Sequence, residues 1–201
     1  MTETFDFDAG HVALDFINTV RQRDGHRKDQ LPAPTDFQRW LQESALVPGE
    51  DLQRLSLHPS FPEVHQQARA LRDEFRHAIE GLVNTPEVPA DLLKHLNLLL
   101  WQHPPRKVLA VGQVPLQFKL QHELDTPDAL LGVLADQMAN LLTLDLQGRL
   151  KKCAKSTCIR HFLDTSKNKS RNWCSMATCG NRAKAQAFYR RKVQRADESS
   201  F

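Results

Sequence analysis

Long apolar runs are missing from this sequence of 201 residues. The two most apolar stretches, 92–101 and 129–146, are each interrupted by polar or charged residues: Lys94, His95, Asp136 and Asp145. Neither therefore offers the roughly 20 apolar residues that a membrane-spanning helix needs. The segment from Met1 to Asp8 is acidic and shows no basic stretch before an apolar run, so it does not indicate a secretory signal. We expect a cytoplasmic protein without a membrane partner.

Motifs that carry catalysis are missing as well. The sequence has no glycine-rich phosphate loop, no G-x-S-x-G segment and no H-E-x-x-H segment. Residues 1–152 contain no cysteine that could serve as a nucleophile. We therefore expect that the protein is not an enzyme.

The composition is that of a soluble globular protein, with 40% hydrophobic and 25% charged residues. The charges are unevenly distributed. Residues 149–201 hold 14 of the 27 Lys and Arg residues but 3 of the 24 Asp and Glu residues, a net charge of +11, whereas residues 1–148 have a net charge of −8. This change of sign indicates two functional units, an N-terminal domain of residues 1–148 and a basic module of residues 149–201.

All 4 cysteines lie in the basic module, in the pattern C-x4-C-x15-C-x4-C: Cys153, Cys158, Cys174 and Cys179. Two thiol pairs separated by a loop suit a tetrahedral Zn²⁺ ion. Four thiolate ligands leave no open position for a catalytic water, so such an ion has a structural role. The pattern predicts one structural zinc ion.

Three alternatives stay open for these cysteines. Disulfides are disfavoured in a chain without a secretory signal, because the cytosol keeps thiols reduced. An iron–sulfur cluster is disfavoured because its usual cysteine spacings differ. His161, three residues after Cys158, could replace one thiolate, although a solvent-exposed polar residue is the simpler interpretation.

The N-terminal domain is predicted to be mainly helical. One helix is expected to begin with Thr35 as its N-cap, and Ser60-Phe-Pro-Glu63 fits a capping box for another. Apolar residues then recur every three or four positions: Val64, Ala68, Leu71, Phe75, Ile79 and Leu82. The leucine-rich segment 89–101 is expected to be buried on more than one side, and a last helix is expected from Thr126 to about Leu146.

One β-hairpin is predicted between Arg106 and Gln121. Val114, Leu116, Phe118 and Leu120 alternate there with other residues, and Gly112 suits the first central position of a type II′ turn. The expected fold class is therefore mainly α with a small β-hairpin. A helical N-terminal domain is followed by a small four-cysteine zinc-binding module that ends in a helix.

Asp15 and Asn18 are polar residues in the apolar segment 12–20 and lie on one side at helical spacing. They could satisfy nearby backbone groups. They could also line a pocket for a small-molecule effector. The sequence leaves both interpretations open.

Four segments of the basic module strongly resemble the CGNR zinc-finger family: Cys153-Ala-Lys-Ser-Thr-Cys158, Phe162-Leu-Asp164 with Ser166, Arg171-Asn-Trp-Cys-Ser-Met176, and Cys179-Gly-Asn-Arg182. The segment Leu14-Asp-Phe-Ile-Asn-Thr19 and the helical layout resemble the ABATE domain that commonly precedes this finger. The resemblance implies a bacterial protein of the kind described as stress-induced transcription regulators. It places the zinc ligands on the four cysteines of the module.

The tail after the last cysteine is predicted to be a basic helix. Gly180 permits a tight turn after Cys179, Asn181 is a favoured N-cap, and good helix formers run from Arg182 to about Arg195. Acidic residues that would pair with its cations are nearly absent from this segment. Such a density of positive charge indicates a nucleic-acid backbone as the partner.

We expect this helix to bind double-stranded DNA. Its basic residues are predicted to contact phosphates: Lys184, Arg190, Arg191, Lys192 and Arg195. Asn181, Arg182 and Gln186 near the helix start are predicted to contact base edges, because Arg pairs with guanine and Asn or Gln pairs with adenine. RNA binding and a zinc-stabilised protein-interaction module are the alternatives. A homodimer would double the contacts to DNA.

Overall fold

The computed structural model describes residues 4–23, 25–110, 116–186 and 189. Six α-helices in these residues precede the cysteine-rich module: α1 (Val12–Ile17), α2 (Pro34–Glu43), α3 (Gly49–Ser56), α4 (Phe61–Leu82), α5 (Ala90–Gln102) and α6 (Ala129–Leu142). The module itself contains a π-helical turn, Met176–Gly180, that continues into a C-terminal helix at residues 181–186. No helix in the described part of the chain is long and apolar enough to cross a bilayer.

The strands form three antiparallel pairs: β1 (Val20–Arg23) with β2 (His26–Asp29), β3 (Arg106–Ala110) with β4 (Gln117–Gln121), and β5 (Leu150–Lys152) with β6 (His161–Leu163). The predicted fold class, mainly α with a small hairpin before a four-cysteine module, is confirmed. The pair β3–β4 is the predicted hairpin, with Leu109 opposite Phe118. Its turn, with Gly112, lies outside the described residues.

The long helix α4 lies at the centre of the core. Its predicted apolar stripe is buried at Val64, Ala68, Leu71, Phe75 and Ile79. The helix contacts α1, α2, α5 and α6. Each large apolar side chain buried in this way contributes about 1.5–3 kcal/mol to folding. The period of 3.6 residues therefore both predicts the helix and accounts for its position.

One hydrophobic core runs through the N-terminal domain and into the module. Phe16 of α1 packs against Trp40 of α2, with ring centroids 4.7 Å apart. The same core includes Leu150, Phe162 and Cys174 of the basic module. The described part of the module is therefore packed against the helices that precede it.

The helix starts differ from the sequence predictions. Helix α2 begins at Pro34, because proline is well suited to the first helical position. Its N-cap is therefore Ala33 and not the predicted Thr35, which lies inside the helix. Ser60 does precede α4, but its hydroxyl bonds His58 Nδ1 at 2.9 Å and makes no capping bond, so the predicted capping box is wrong. The last helix begins at Ala129 and not at Thr126.

Helix α5 is less buried than predicted. Leu92, Leu96 and Leu99 are in the core, whereas Leu93 and Leu98 are 43% and 50% exposed. The helix therefore buries one face, and the expectation of burial on more than one side is wrong. The helices that pack against it are α4 and α6.

The hairpin β1–β2 was not predicted. Its strands are mostly polar and lack the alternation of apolar residues that marks a half-buried strand. The available signal was the dipeptide Asp24-Gly25 between them, a strong turn signal. Gly25 has a φ of +84°, a conformation that glycine adopts at little cost.

Candidate zinc centre and nucleic-acid interface

The four predicted zinc ligands come together in the fold. Their Sγ atoms all lie within 4.8 Å of one another. Cys174 Sγ is 3.8 Å from Cys158 Sγ and 3.7 Å from Cys179 Sγ. A tetrahedral zinc ion with Zn–S bonds of about 2.3 Å requires sulfur–sulfur separations of about 3.8 Å. The cysteines are free thiols and not disulfides, so this cluster is suited to bind one zinc ion.

Backbone hydrogen bonds shape the two turns that carry the ligands. Between β5 and β6, the N–H of Cys153 donates to the carbonyl of Arg160 at 2.9 Å, and the N–H of Cys158 donates to that of Lys155 at 2.9 Å. In the π-helical turn, the N–H of Gly180 donates to the carbonyl of Ser175 at 3.0 Å. The backbone at each turn thus places two sulfurs close together.

The sulfur cluster needs a cation if all four thiols are to ionise. Thiol hydrogen bonds from Cys158 and then Cys174 lower the pKa of Cys153, although burial opposes this effect. The bond to Cys153 raises the pKa of Cys158 to about 11, and the bonds to Cys153 and Cys158 raise the pKa of Cys174. A thiolate is therefore favoured at Cys153, and ionisation of Cys158 and Cys174 is opposed. A divalent cation removes this repulsion and makes four thiolates compatible.

Asp164 organises the loop between the two cysteine pairs. It is fully buried, and its carboxylate accepts hydrogen bonds from Lys151 Nζ at 2.8 Å and from the N–H of Arg171 at 2.8 Å. Its other oxygen accepts from the hydroxyl of Ser166 at 2.6 Å. Burial acts to raise the pKa of Asp164, but the bonds from Lys151 and Ser166 hold it well below the usual range. The carboxylate is therefore a permanent anion that fixes the loop.

Asn18 joins the N-terminal domain to the module. Its Nδ2 donates to the carbonyl of His161 at 2.7 Å, and its Oδ1 accepts from the N–H of His161 at 3.0 Å. These two bonds imitate the pairing of a neighbouring strand at the edge of β6. The Asn18 side chain is 143 residues away in sequence from the backbone it binds.

Asp15, which lies one helical turn before Asn18, also binds a backbone group. Its carboxylate accepts a hydrogen bond from the N–H of Ala9 at 2.9 Å, and the carbonyl of Ala9 accepts from the N–H of Leu163 at 2.7 Å. Gly10 makes this close approach possible, because a Cβ there would lie 2.7 Å from the carbonyl oxygen of Leu163. Asp15 and Asn18 thus bind backbone groups and are buried in the core.

Three arginines form hydrogen bonds between the module and the rest of the chain. Arg160 bonds Asp6 at 2.9 Å and Asp8 at 2.5 Å. Arg171 donates to the carbonyl of Asp8 at 2.7 Å and lies over the Phe162 ring, with its guanidinium carbon 4.4 Å from the centroid. Arg76 of α4 donates to the carbonyls of Ile17 at 2.6 Å and Ile159 at 2.7 Å. In the sequence, Arg160 and Arg171 count only as positive charges, and nothing there indicates this role.

His161 is buried rather than exposed. The cluster of candidate ligand atoms consists of the four cysteines, and His161 instead contributes backbone bonds to Asn18. Burial, with the nearby charges of Arg76 and Lys152, lowers the pKa of His161 to about 4. The expectation of a solvent-exposed side chain is therefore wrong, because strand β6 is enclosed by α1 and the core.

The described part of the C-terminal helix presents four of the predicted contact residues to solvent. Asn181, Arg182, Lys184 and Gln186 are all exposed. Asn181 has helical dihedral angles and its Nδ2 approaches the carbonyl of Ala177 at 3.4 Å, so its predicted role as N-cap is wrong. The helical path already begins at Met176, before the last cysteine. The remaining predicted phosphate contacts lie outside the described residues: Arg190, Arg191, Lys192 and Arg195.

Comparison with known families divides the chain as the charge distribution does. Residues 10–145 match the ABATE family, described as "Putative stress-induced transcription regulator". Residues 149–192 match the CGNR zinc finger. No curated protein matches the chain in a sequence search.

Proposed function

Because the chain belongs to the ABATE family and carries a CGNR zinc finger, we propose that it is a transcription regulator that binds double-stranded DNA through its C-terminal helix. The zinc ion holds the start of this helix and performs no chemistry, and we propose a binding protein and not an enzyme. The N-terminal domain supports the module through buried contacts.

One observation carries the proposal. The helix that follows the sulfur cluster exposes Asn181, Arg182, Lys184 and Gln186, while its first turn is fixed by Cys174 and Cys179. A rigid base and an exposed polar face are what a groove-binding element requires. Arginines elsewhere in the module bind groups within the fold, as Arg160 and Arg171 do.

The module has less positive charge available for DNA than its count of basic residues suggests. The module has a net charge of +11, and four thiolates with one zinc ion change this by −2. Arg149, Lys151, Arg160 and Arg171 also bond acidic or carbonyl groups of the fold. The cations left for phosphates are therefore concentrated toward the C-terminal helix.

Two kinds of contact are proposed along the helix. Lys184, with Arg190, Arg191, Lys192 and Arg195, binds phosphates, whereas Arg182, with Asn181 and Gln186, binds base edges. A salt titration of fluorescence anisotropy with duplex DNA tests the proposal. About five phosphate contacts give a slope of log K against log[salt] near −4 to −5. A flat salt response, or no binding, overturns it.

Two exchanges separate the two kinds of contact. Arg182→Ala is expected to lower the preference for selected over random duplexes by about 1–3 kcal/mol. Lys184→Ala is expected to weaken all duplexes alike and to reduce the salt slope by about one. Selection of bound sequences from random duplexes, followed by anisotropy, measures both. Identical effects of the two variants on every duplex contradict the assignment.

We also propose that the regulator is a homodimer, and the hairpin β3–β4 supports this. Leu109 and its cross-strand partner Phe118 are 65% and 62% exposed, and Leu120 on β4 is 56% exposed. An isolated two-stranded hairpin is marginally stable in water, and a second copy would cover these apolar side chains. Light scattering on the protein gives the mass. A monomer at all concentrations contradicts the dimer and leaves DNA binding to be judged separately.

Sensing of a small effector by the N-terminal domain stays a prediction. The two residues on which it rested, Asp15 and Asn18, bind Ala9 and His161. The structure therefore favours the backbone-binding interpretation of this pair. Their contacts instead support a mechanical role, in which α1 positions the zinc module.

A further inference from the structure

A cleft of about 530 Å³ lies between the hairpin β1–β2 and the zinc module. Arg21, Gln22 and Lys28 line it from the hairpin, and Lys155, Thr157 and Arg182 line it from the module. Cys158, Cys174 and Cys179 also line the cleft, on the side of the module. The cleft thus begins at the zinc centre and extends to the first turn of the C-terminal helix.

The cleft is rich in cations. Among the described residues, five basic ones line it, with Arg160 joining the four named above, and Asp6 is the acidic one. Asp6 is shared, since it bonds Arg21 at 3.1 Å and Arg160 at 2.9 Å. A zinc ion with four thiolates adds a net charge of −2 beside the cleft. Arg160 also bonds Asp8, so the balance of the described charges is only slightly positive, although residues 1–148 as a whole are acidic.

The hairpin β1–β2 places two cations side by side on the face that lines the cleft. Arg21 and Lys28 occupy directly opposed positions in the antiparallel register. Like charges in such positions destabilise a strand pair. The strands supply little apolar burial in return, because His26, Arg27 and Lys28 are all exposed. The bond from Arg21 to Asp6 offsets part of this repulsion, and an anion bound across the cleft would offset it further.

We propose that the hairpin β1–β2 is a second DNA-binding element, an inference that rests on the proposed function. The cleft binds backbone phosphates of the duplex that the C-terminal helix contacts. The donors in the cleft are those that bind phosphate oxygens: lysine and arginine side chains, the Thr157 hydroxyl and the Gln22 amide. The ABATE domain thereby contacts DNA directly.

The position of Arg182 favours DNA over a small free anion. Arg182 lines the cleft and also lies at the exposed start of the C-terminal helix. A ligand in the cleft is therefore adjacent to the groove that the helix is proposed to enter. Lys28 and Gln22 are exposed on the hairpin side, so a ligand can reach both from solvent.

The test compares single lysine exchanges in the zinc-loaded, full-length protein. Lys28→Gln and Lys155→Gln are expected to weaken duplex binding by about 3-fold to 10-fold each and to reduce the salt slope by about one. Lys28→Arg is expected to keep the affinity. The matched control is Lys94→Gln on α5, an exposed lysine outside the cleft that pairs with Asp91 at 3.4 Å. Circular dichroism and zinc content confirm that each variant is folded.

The outcomes separate the inference from the proposed function. If the wild-type protein binds DNA and Lys28→Gln behaves like Lys94→Gln, the hairpin is not a DNA-binding element and the inference is wrong. If Lys28→Gln weakens binding of inorganic phosphate but not of the duplex, the cleft is a small-anion site and the inference is also wrong. Absence of wild-type DNA binding overturns the proposed function together with the inference.

Discussion

The N-terminal domain and the zinc module are stabilised in different ways. The domain buries a long apolar stripe on α4 and a cluster of aromatic rings, so its stability is of the usual hydrophobic kind. The module has few apolar residues, and its described contacts are the four-cysteine site, the bonds of buried Asp164 and the bonds to α1 and α4. We therefore expect the smaller unit to take its shape from zinc binding and from its contacts with the larger unit.

Loss of a zinc ligand should give the largest difference in stability between the two regions. In Cys174→Ser the zinc content is expected to fall from about one per chain to near zero, since the remaining thiols no longer form a tetrahedral set. Hydrogen exchange in residues 149–186 is expected to accelerate by at least about 100-fold, a local effect. The helical signal in far-UV circular dichroism is expected to persist, because α4 needs no metal.

The control for this variant is Ser175→Ala. Ser175 makes no side-chain capping bond, so its removal should leave zinc content and exchange unchanged. Equal protection of residues 149–186 in Cys174→Ser and in Ser175→Ala would show that the module does not depend on the metal.

Removal of Asn18 should weaken the connection between the regions. Asn18→Ala deletes two buried bonds and leaves the N–H and carbonyl of His161 without them. The expected loss in the free energy of unfolding is about 2–4 kcal/mol. Urea denaturation measures it. The control Asn140→Ala, which removes an exposed bond to Asp136, should cost less than about 0.5 kcal/mol. Similar losses in both variants would contradict the role of Asn18.

Exchange of Asp15 should give the smallest effect, and one that depends on pH. Burial raises the pKa of Asp15 to about 7, while its ordinary value is 3.8. Ionisation therefore favours the unfolded chain increasingly as pH rises from about 4 to 7. Asp15→Asn keeps an acceptor for the Ala9 N–H and removes this penalty. Its stabilisation is expected to be absent below about pH 4 and to reach about 1–3 kcal/mol at about pH 8.

Thermal unfolding across this pH range measures the effect of Asp15→Asn. Asp91→Asn is the control, since the Asp91 side chain is 94% exposed and its exchange should change stability little at any pH. If Asp15→Asn changes stability equally at both ends of this pH range, Asp15 has the same pKa in the folded and the unfolded chain, and the assignment of a raised pKa is wrong.

Features that depend on local pattern or chemistry could be predicted from the sequence. The period of apolar residues located α4, alternation located β3–β4, and the spacing of the cysteines located the metal site. The first two signals are patterns repeated within a single segment, and the third depends on cysteine, whose clustered pairs typically bind metal. None of them requires knowledge of which segments pack together in the fold.

Features that depend on distant partners were not predictable in this way. Asn18 and His161 are far apart in sequence, and nothing in either segment indicates that they meet. Ser60 failed as a cap because His58 binds its hydroxyl, and Asn181 failed because the helix begins earlier at Met176. The hairpin β1–β2 was missed because its strands are polar, and two of its cations, Arg21 and Lys28, line a cleft instead of a core. In each case contacts with other parts of the fold determined which local structure formed.

Zinc is proposed to fix the base of the C-terminal helix so that its exposed residues can bind DNA. Duplex binding by anisotropy tests this for the zinc-loaded protein, for the chelator-treated reduced protein, and after return of one equivalent of zinc. We expect binding to be lost on chelation and restored by zinc. Equal affinity in the metal-free protein would contradict this role of zinc.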